Sequence, residues 1–305
     1  MSVEVEVAKG NQCDKKKKKS KNNLTYWAFV GPSLFAFSVV ILIPLLLGIY
    51  YSFTDWNGIS KEVNFIGFEN YIKVFSEEGF RNSFIFTTKF TVVSVLVINI
   101  IGFSLALLVT RESKISNLLR TIFFMPNLIG GLILGFIWQF IFVNVFNSLG
   151  DILGQEWLMG WLSNETTGFW GMIIIVAWQM SGYVMVVYIA SLQNVPPELN
   201  EAAKIDGANW WQRLKNITIP MVRPAFTISL FLTLSNSFKL FDQNLALTNG
   251  GPGNATQMLA LNIYQTAFSL NKINLAQAKA VIFFLIVAVI GLAQVYIIKK
   301  GEVEA

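Results

Sequence analysis

The sequence predicts an all-α membrane protein with six transmembrane helices. Three observations support this fold class. The 305 residues are 54% hydrophobic and only 13% charged, whereas a soluble domain of this length carries about 25% charged residues. The mean hydropathy is +0.54. Six apolar runs of at least 21 residues recur along the chain, and each can cross roughly 30 Å of hydrocarbon as a helix.

The predicted spans differ in how apolar they are. The first run is too long for the apolar region of a signal peptide and has no small-residue cleavage site after it, so we expect it to be retained. Pro44 predicts a kink in this helix. The fifth run is the weakest, because Asn236, Lys239, Asp242 and Asn244 interrupt it. The six runs cover approximately residues 24–51, 83–110, 120–143, 168–192, 225–245 and 275–298.

Lysine and arginine are distributed unevenly between the two sides of the predicted membrane. Sixteen of the 23 basic residues lie in segments on the side of the N-terminus, including the tail at residues 1–23, which we expect to be disordered. Only four lie in the opposite loops. The positive-inside rule therefore places both termini in the cytoplasm, with residues 24–300 forming the membrane domain and residues 301–305 a short tail. The net charge of +5 reflects this topology and indicates no nucleic-acid partner.

Several kinds of chemistry are excluded by residue usage. The chain has one cysteine, Cys13, and no histidine, so it offers no internal disulfide, no Cys/His metal site and no histidine catalysis. It has neither a phosphate-binding loop of the Walker type nor a nucleophile elbow. We expect no enzyme activity, no metal site and no cofactor in this chain. If its function uses ATP, another subunit hydrolyses it.

The loop between the first two spans, residues 52–82, is rich in aromatic residues. Trp56, Phe65, Phe68 and Tyr71 lie there among acidic side chains. These aromatics fit an interfacial belt. They equally fit a small cap that receives another protein, and the sequence leaves both interpretations open.

The cytoplasmic loop at residues 193–224 predicts a helix–glycine–helix hairpin. Pro196 and Pro197 are suited to the first turn of a helix, where the missing N–H has no intrahelical use. Glu198 lies near the positive end of the helix dipole. Gly207 tolerates a left-handed helix cap, and a second amphipathic segment follows until Pro220. The residues alone fit a partner-binding surface or a connector lying on the headgroups.

This loop resembles the EAA loop of bacterial ABC importer permeases. The match consists of Glu201-Ala202-Ala203, Gly207, Ile217 and Ile219-Pro220 at the family spacing, with Ile219 replacing a leucine as the only departure. The resemblance implies a type I ABC importer permease fold and a coupling helix that docks on an ATPase subunit. The residues implied in this coupling are Glu198, Glu201, Ala202, Ala203, Asp206, Gly207, Ile217 and Pro220.

A second resemblance narrows the family to the sugar-importer permeases. Residues 247–252, Leu-Thr-Asn-Gly-Gly-Pro, and residues 263–268 are similar to the maltose, multiple-sugar and glycerol-3-phosphate group. The opening, with Gly31-Pro32 and residues 67–71, resembles the same group, and the likeness extends from about residue 26. It is greatest to the subunit that holds the sugar in the maltose importer. This chain departs from that subunit in lacking its additional N-terminal spans and its large periplasmic insertion.

Polar side chains in the fourth and fifth spans are candidates for a sugar path. Polar groups in lipid are costly and tend to face a bundle interior or a water-filled cavity. Sugars need neutral donors and acceptors together with aromatic faces. Interhelical hydrogen bonding explains any single residue equally well. The candidates are Gln179, Tyr183, Ser235, Asn236, Ser237, Lys239 and Asp242.

Lys239 and Asp242 are three residues apart, so on one helix they would form a mutual ion pair. We expect this pair to be structural. The alternative is that Lys239 contacts an anionic substrate.

The resulting hypothesis is a permease subunit of the inner membrane that imports a sugar or oligosaccharide by alternating access. Its expected partners are a second homologous permease, a dimer of ABC ATPase subunits that binds ATP and Mg²⁺, and an extracellular sugar-binding protein. One alternative is a permease for a phosphorylated or anionic solute such as glycerol 3-phosphate. Import of an amino acid or phosphate, and a membrane scaffold without transport, are disfavoured.

Overall fold

The computed structural model describes residues 26–111 and 113–301, in which no β-strand is formed. The basic tail at residues 1–23 and residues 302–305 lie outside the described residues. We number the helices α1 to α12 in chain order. They are Tyr26–Ser52, Glu69–Ser76, Glu78–Val109, Lys114–Phe124, Gly131–Leu153, Glu165–Leu192, Pro197–Ile205, Trp210–Met221, Arg223–Phe238, Asp242–Leu247, Leu259–Tyr264 and Ile273–Gly301.

Five of these helices are long and apolar enough to cross a membrane: α1, α3, α5, α6 and α12. A sixth span is obtained if α8 and α9, which meet at a bend of 69°, are counted as one broken span. The all-α architecture with up to six spans agrees with the predicted fold class. The protein is therefore a multi-pass membrane protein.

The core lies between α3 and α6. Phe90, Ile98, Met172 and Val176 are fully buried there. Because lipid gives no hydrophobic drive for helix association, polar contacts help to fix such a bundle. A buried network joins α3, α6 and α9: the Tyr188 hydroxyl donates to Asn99 Oδ1 over 2.8 Å, Ser229 Oγ donates to the Tyr188 hydroxyl over 2.7 Å, and Asn99 Nδ2 donates to Thr233 Oγ1 over 3.0 Å. The network holds α9 against the core.

Two predicted spans differ from the helices. Residues 120–143 contain the end of α4, a 3₁₀ turn at Met125–Leu128 and the first half of α5, so the spanning helix is Gly131–Leu153. Pro126 lies in that turn, and proline breaks a helix because it lacks the N–H. Residues 225–245 contain most of α9, which ends at Phe238, and the start of α10. In α1, a π turn at Ser38–Leu42 precedes Pro44.

The end of the bundle that carries α7 and α8 is called the inner end, and the opposite end is called the outer end. At the outer end, Asn70 of α2 is buried and donates to the carbonyls of Ser52 and Thr54, both over 2.9 Å. Phe53 packs on Phe68 and Tyr71. The aromatic residues of the first outer loop thus form a cluster attached to the end of α1.

A buried lysine also lies at the outer end. Lys279 of α12 is 0% exposed, and its Nζ donates to Glu77 Oε1 over 2.9 Å, to Asn262 Oδ1 over 2.9 Å and to Thr266 Oγ1 over 2.8 Å. A buried ammonium is stable only when its charge is paired and its protons are bonded. This cluster therefore joins α12 to the start of α3, to α11 and to the residues that directly follow α11.

Candidate functional site

A polar cavity of about 440 Å³ lies between α6, α9 and the residues that follow α9. Tyr183 and Phe241 supply aromatic faces, while amide and charged groups supply hydrogen-bonding atoms. Such a mixture suits a ligand with many hydroxyl groups. The lining residues are Asn127, Val176, Met180, Tyr183, Asn236, Lys239, Leu240, Phe241, Asp242 and Gln243.

Close helix packing shapes one wall of this cavity. A Cβ at Gly182 would lie 1.9 Å from the carbonyl oxygen of Phe123, so only glycine lets α6 approach the end of α4 this closely. The contact holds the 3₁₀ turn that carries Asn127 beside α6. Gly131 likewise lets α5 approach α10, since an added Cβ would lie 2.8 Å from Asp242 Cβ. The break between α4 and α5 is therefore part of the site.

The structure brings four of the seven predicted path residues to this cavity: Tyr183, Asn236, Lys239 and Asp242. Gln179 lies behind it. Its Nε2 donates to the Ile129 carbonyl over 3.0 Å, and its Oε1 accepts from Gln243 Nε2 over 2.6 Å. Gln179 thus orients Gln243, which lines the cavity.

Ser235 and Ser237 are not among the lining residues. Ser235 is half-buried, and Ser237 is fully buried with no hydrogen-bond partner for its hydroxyl. Both lie near the end of α9, on different faces from Asn236, because successive residues on a helix are about 100° apart.

The prediction of an ion pair between Lys239 and Asp242 is wrong. The structure places no ion pair between these two residues. α9 ends at Phe238, Lys239 is its cap residue, and α10 begins at Asp242. The i, i+3 geometry requires a continuous helix, and here the chain breaks between the two charges. Both side chains are exposed and line the cavity.

Sequence reasoning missed Asn127, Phe241 and Gln243 as lining residues. Asn127 follows Pro126, and this dipeptide is a turn signal within a run interpreted as one helix. Gln243 adjoins the predicted Asp242, so the polar cluster of the fifth run pointed to the region but not to the residue. The breaks between α4 and α5 and between α9 and α10 explain these omissions.

The inner end carries the predicted hairpin. α7 ends in a Schellman arrangement, in which the Ala208 N–H donates to the Ala203 carbonyl over 2.8 Å and the Gly207 N–H donates to the Lys204 carbonyl over 3.1 Å. Gly207 has φ +80°, which only glycine adopts without strain. Asn209 then begins α8 with a capping box that includes Gln212. The backbone groups at this turn are therefore bonded within the hairpin.

The side chains of the hairpin, in contrast, are poorly covered. α7 has no buried residue, and Ile205 is 87% exposed and Trp211 71% exposed. Of the predicted coupling residues, Glu198, Glu201, Ala202, Asp206, Gly207 and Pro220 are exposed, and Ala203 and Ile217 are half-buried. A cavity of about 470 Å³ separates α7 from the inner ends of α3 and α6.

The outer loop between α10 and α11 is built around Asn244. This residue is 0% exposed; its Nδ2 donates to the Thr256 carbonyl over 2.8 Å and to Thr248 Oγ1 over 3.1 Å, and its Oδ1 accepts from the Met258 N–H over 3.0 Å. Thr256 Oγ1 also donates to the Gly251 carbonyl over 2.6 Å. These bonds fix the Asn-Gly-Gly-Pro segment against the bundle.

Comparison with known proteins identifies a family. The family of binding-protein-dependent transport system inner membrane components matches residues 98–301. The chain is 58% identical over 290 residues to the probable starch degradation products transport system permease protein AmyD of Thermoanaerobacterium thermosulfurigenes, covering 95% of this chain and 99% of the relative. It is 29% identical over 287 residues to the multiple sugar-binding transport system permease protein MsmF of Streptococcus mutans, covering 94% and 99%.

A solved structure has the same fold. A chain of a bacterial ABC transporter involved in the import of the acidic polysaccharide alginate matches with a TM-score of 0.81 and 21% sequence identity. The match covers 94% of this chain and 99% of that chain. At this identity, the similarity shows the fold alone.

Proposed function

Because this chain belongs to the family of binding-protein-dependent transport system inner membrane components, we propose that it is a permease subunit of an ATP-driven importer for sugars or oligosaccharides. Relatives that match almost their whole length are named for starch degradation products and for multiple sugars. The polar and aromatic cavity beside Tyr183 supports this substrate class. Starch degradation products, which are glucose oligomers, are the substrates we propose.

The observation that carries this proposal is the uncovered hairpin at the inner end. On this connector, whose turn at Gly207 is closed by backbone bonds and a capping box, the exposed fractions of Ile205, Trp211 and Trp210 are 87%, 71% and 51%. Aromatic and aliphatic side chains presented together on a surface indicate a protein-binding site. With both termini in the cytoplasm, the hairpin faces the compartment that contains ATP. We assign it to docking on an ATPase subunit, which binds ATP and Mg²⁺.

The connection between hairpin and cavity suggests how the ATPase drives transport. α8 is joined at Val222 to α9, and α9 is about 24 Å long at 1.5 Å per residue. Its far end carries Asn236 and Lys239 at the cavity. Movement of the hairpin when the ATPase dimer closes would tilt α9 and alter access to the cavity. A second permease and an extracellular binding protein complete this alternating-access mechanism.

Gly207 provides a direct test of the coupling role. A valine at φ +80° costs about 1–2 kcal/mol and displaces the turn, although an added Cβ meets nothing within 4 Å. Gly154 is a matched control, because it also has positive φ, +63°, and no atom near an added Cβ. ATP-driven uptake of labelled maltotriose is measured in vesicles that contain the tagged native complex.

We expect Gly207→Val to reduce uptake by about tenfold or more at unchanged membrane abundance, and Gly154→Val to retain it. Equal uptake by Gly207→Val and the unsubstituted protein would contradict the coupling role. Failure of the unsubstituted complex to import any maltooligosaccharide would contradict the substrate class.

One observation favours a second candidate, the import of an anionic solute. Lys239 faces the cavity without the ion pair expected from the sequence, so its charge is available to a phosphate or carboxylate. Asp242 in the same lining opposes this. Competition of glycerol 3-phosphate with maltotriose uptake, before and after Lys239→Gln, separates the two candidates.

A further inference from the structure

A second cavity, of about 560 Å³, lies at the outer end, where α3 and α6 begin. It is separate from the cavity beside Tyr183 and shares none of its lining residues. The N-terminal parts of α3 and α6 and the loop after Pro252 form the walls of this cavity. The lining residues are Glu78, Gly79, Asn82, Ile85, Phe86, Lys89, Glu165, Gly253, Asn254 and Ala255.

Polar side chains in this cavity have no partner within the described part of the chain. Asn82, Lys89, Glu165 and Asn254 make no side-chain hydrogen bond or ion pair there, and Glu78 has only a 3.7 Å contact with Arg81. They supply amide, ammonium and carboxylate groups. Phe86 and Ile85 add an apolar wall. Free donors and acceptors beside an apolar surface are what a sugar requires.

Lys89 is the least expected of these groups. It lies on the spanning helix α3, about 16 Å from Glu78 along the helix axis. The Lys89 side chain is exposed on the same face of α3 as Ile85 and Val92. A lysine that faces hydrocarbon is costly, and charged residues in spans tend to face a cavity. The outer cavity gives its ammonium a polar environment.

The two cavities lie along one face of α6. Glu165 lines the outer cavity, and Val176 lines the cavity beside Tyr183; the two residues are eleven positions apart, about three turns. Tyr183 is about five turns from Glu165. Between them, Phe169 packs edge-on against Phe86, with ring centroids 5.8 Å apart. This aromatic contact lies at a level of α6 between the two sets of lining residues.

We propose that the outer cavity is a second carbohydrate subsite, which holds part of an oligosaccharide at the outer end. This inference rests on the proposed function. It assigns Lys89, Asn82 and Asn254 to the binding of longer sugars. Shorter sugars depend on the subsite less, because they make fewer contacts there.

The test compares sugars of different length. The KM for uptake of labelled maltose and maltoheptaose is measured with the native complex and its binding protein. Lys89→Gln and, on a different element, Asn254→Gly each remove one contact; the glycine keeps the φ of +64°. Lys73→Gln is the matched control, because Lys73 is an exposed outer lysine paired with Glu69 outside both cavities.

We expect Lys89→Gln to raise the ratio of the maltoheptaose KM to the maltose KM by about tenfold, since a hydrogen bond from a charged group is lost. Asn254→Gly raises the ratio less, and Lys73→Gln leaves it unchanged. An unchanged ratio in both cavity variants would overturn the subsite; Lys89 would then serve the second permease or lipid headgroups. If the unsubstituted complex imports neither sugar, the proposed function fails, and the subsite fails with it.

Discussion

The buried polar clusters at the outer end and the hairpin at the inner end satisfy their polar and apolar groups in opposite ways. At the outer end, Asn244 and Lys279 are fully buried, and each bonds to at least three groups of the same chain. At the inner end, the hairpin bonds its own backbone at Gly207 and leaves Ile205 and Trp211 exposed. These buried side chains at the outer end are thus satisfied within the chain, whereas the hairpin at the inner end leaves apolar side chains uncovered.

The largest effect on stability is expected at Lys279. Lys279→Met removes the ammonium and leaves Glu77, Asn262 and Thr266 without their shared donor. Breaking a buried pair on one side costs about 3–5 kcal/mol. Because Glu77 is one-third exposed, we expect a value near the lower limit. The thermal midpoint of the purified complex in detergent measures the loss.

The double variant Lys279→Met with Glu77→Gln sharpens this prediction. It removes the unpaired carboxylate, so it is expected to recover part of the lost midpoint. A double variant that is less stable than Lys279→Met would show that Glu77 stabilises the outer end through other contacts.

A smaller loss of stability is expected at Asn244. Asn244→Ala leaves the Met258 N–H and the Thr256 carbonyl unpaired, at a total cost of about 2–3 kcal/mol. Asn216→Ala in the hairpin is the control, because Asn216 is exposed. The same thermal measurement should show a loss for the first variant only. Equal thermal midpoints for Asn244→Ala and Asn216→Ala would contradict the contrast between the buried outer clusters and the exposed hairpin.

The sequence predicted the membrane fold and the hairpin because both follow from local signals. Long apolar runs, the inner–outer bias of lysine and arginine, and Gly207 between two amphipathic segments are visible without tertiary information. The structure agrees in the all-α architecture with five or up to six spans and in the φ of +80° at Gly207. The coupling role of the hairpin stays a prediction.

Contacts between distant residues could not be predicted in this way. Lys279 falls within the sixth predicted span, and its partner Glu77 is 202 residues away in the sequence. The break after Phe238, which separates Lys239 from Asp242, is not marked by proline or glycine. Its position depends on the packing of α10 against α5, where Gly135 would bring an added Cβ within 2.5 Å of Ala246 Cβ. A single sequence contains no local signal for such a contact.

The smallest effect on stability, and the largest on assembly, is expected in the hairpin. Ile205 is 87% exposed, so Ile205→Glu removes almost no buried apolar surface and should leave the thermal midpoint of the isolated chain unchanged. If an ATPase covers this residue, the new carboxylate is buried without a partner, and the affinity for the ATPase should fall by tenfold or more, about 1.4 kcal/mol.

Retention of the ATPase on the tagged permease measures this loss of affinity. Ile59→Glu is the control, since Ile59 is 90% exposed at the outer end. Loss of the ATPase from both variants, or from neither, would contradict the assignment of the hairpin as the docking surface.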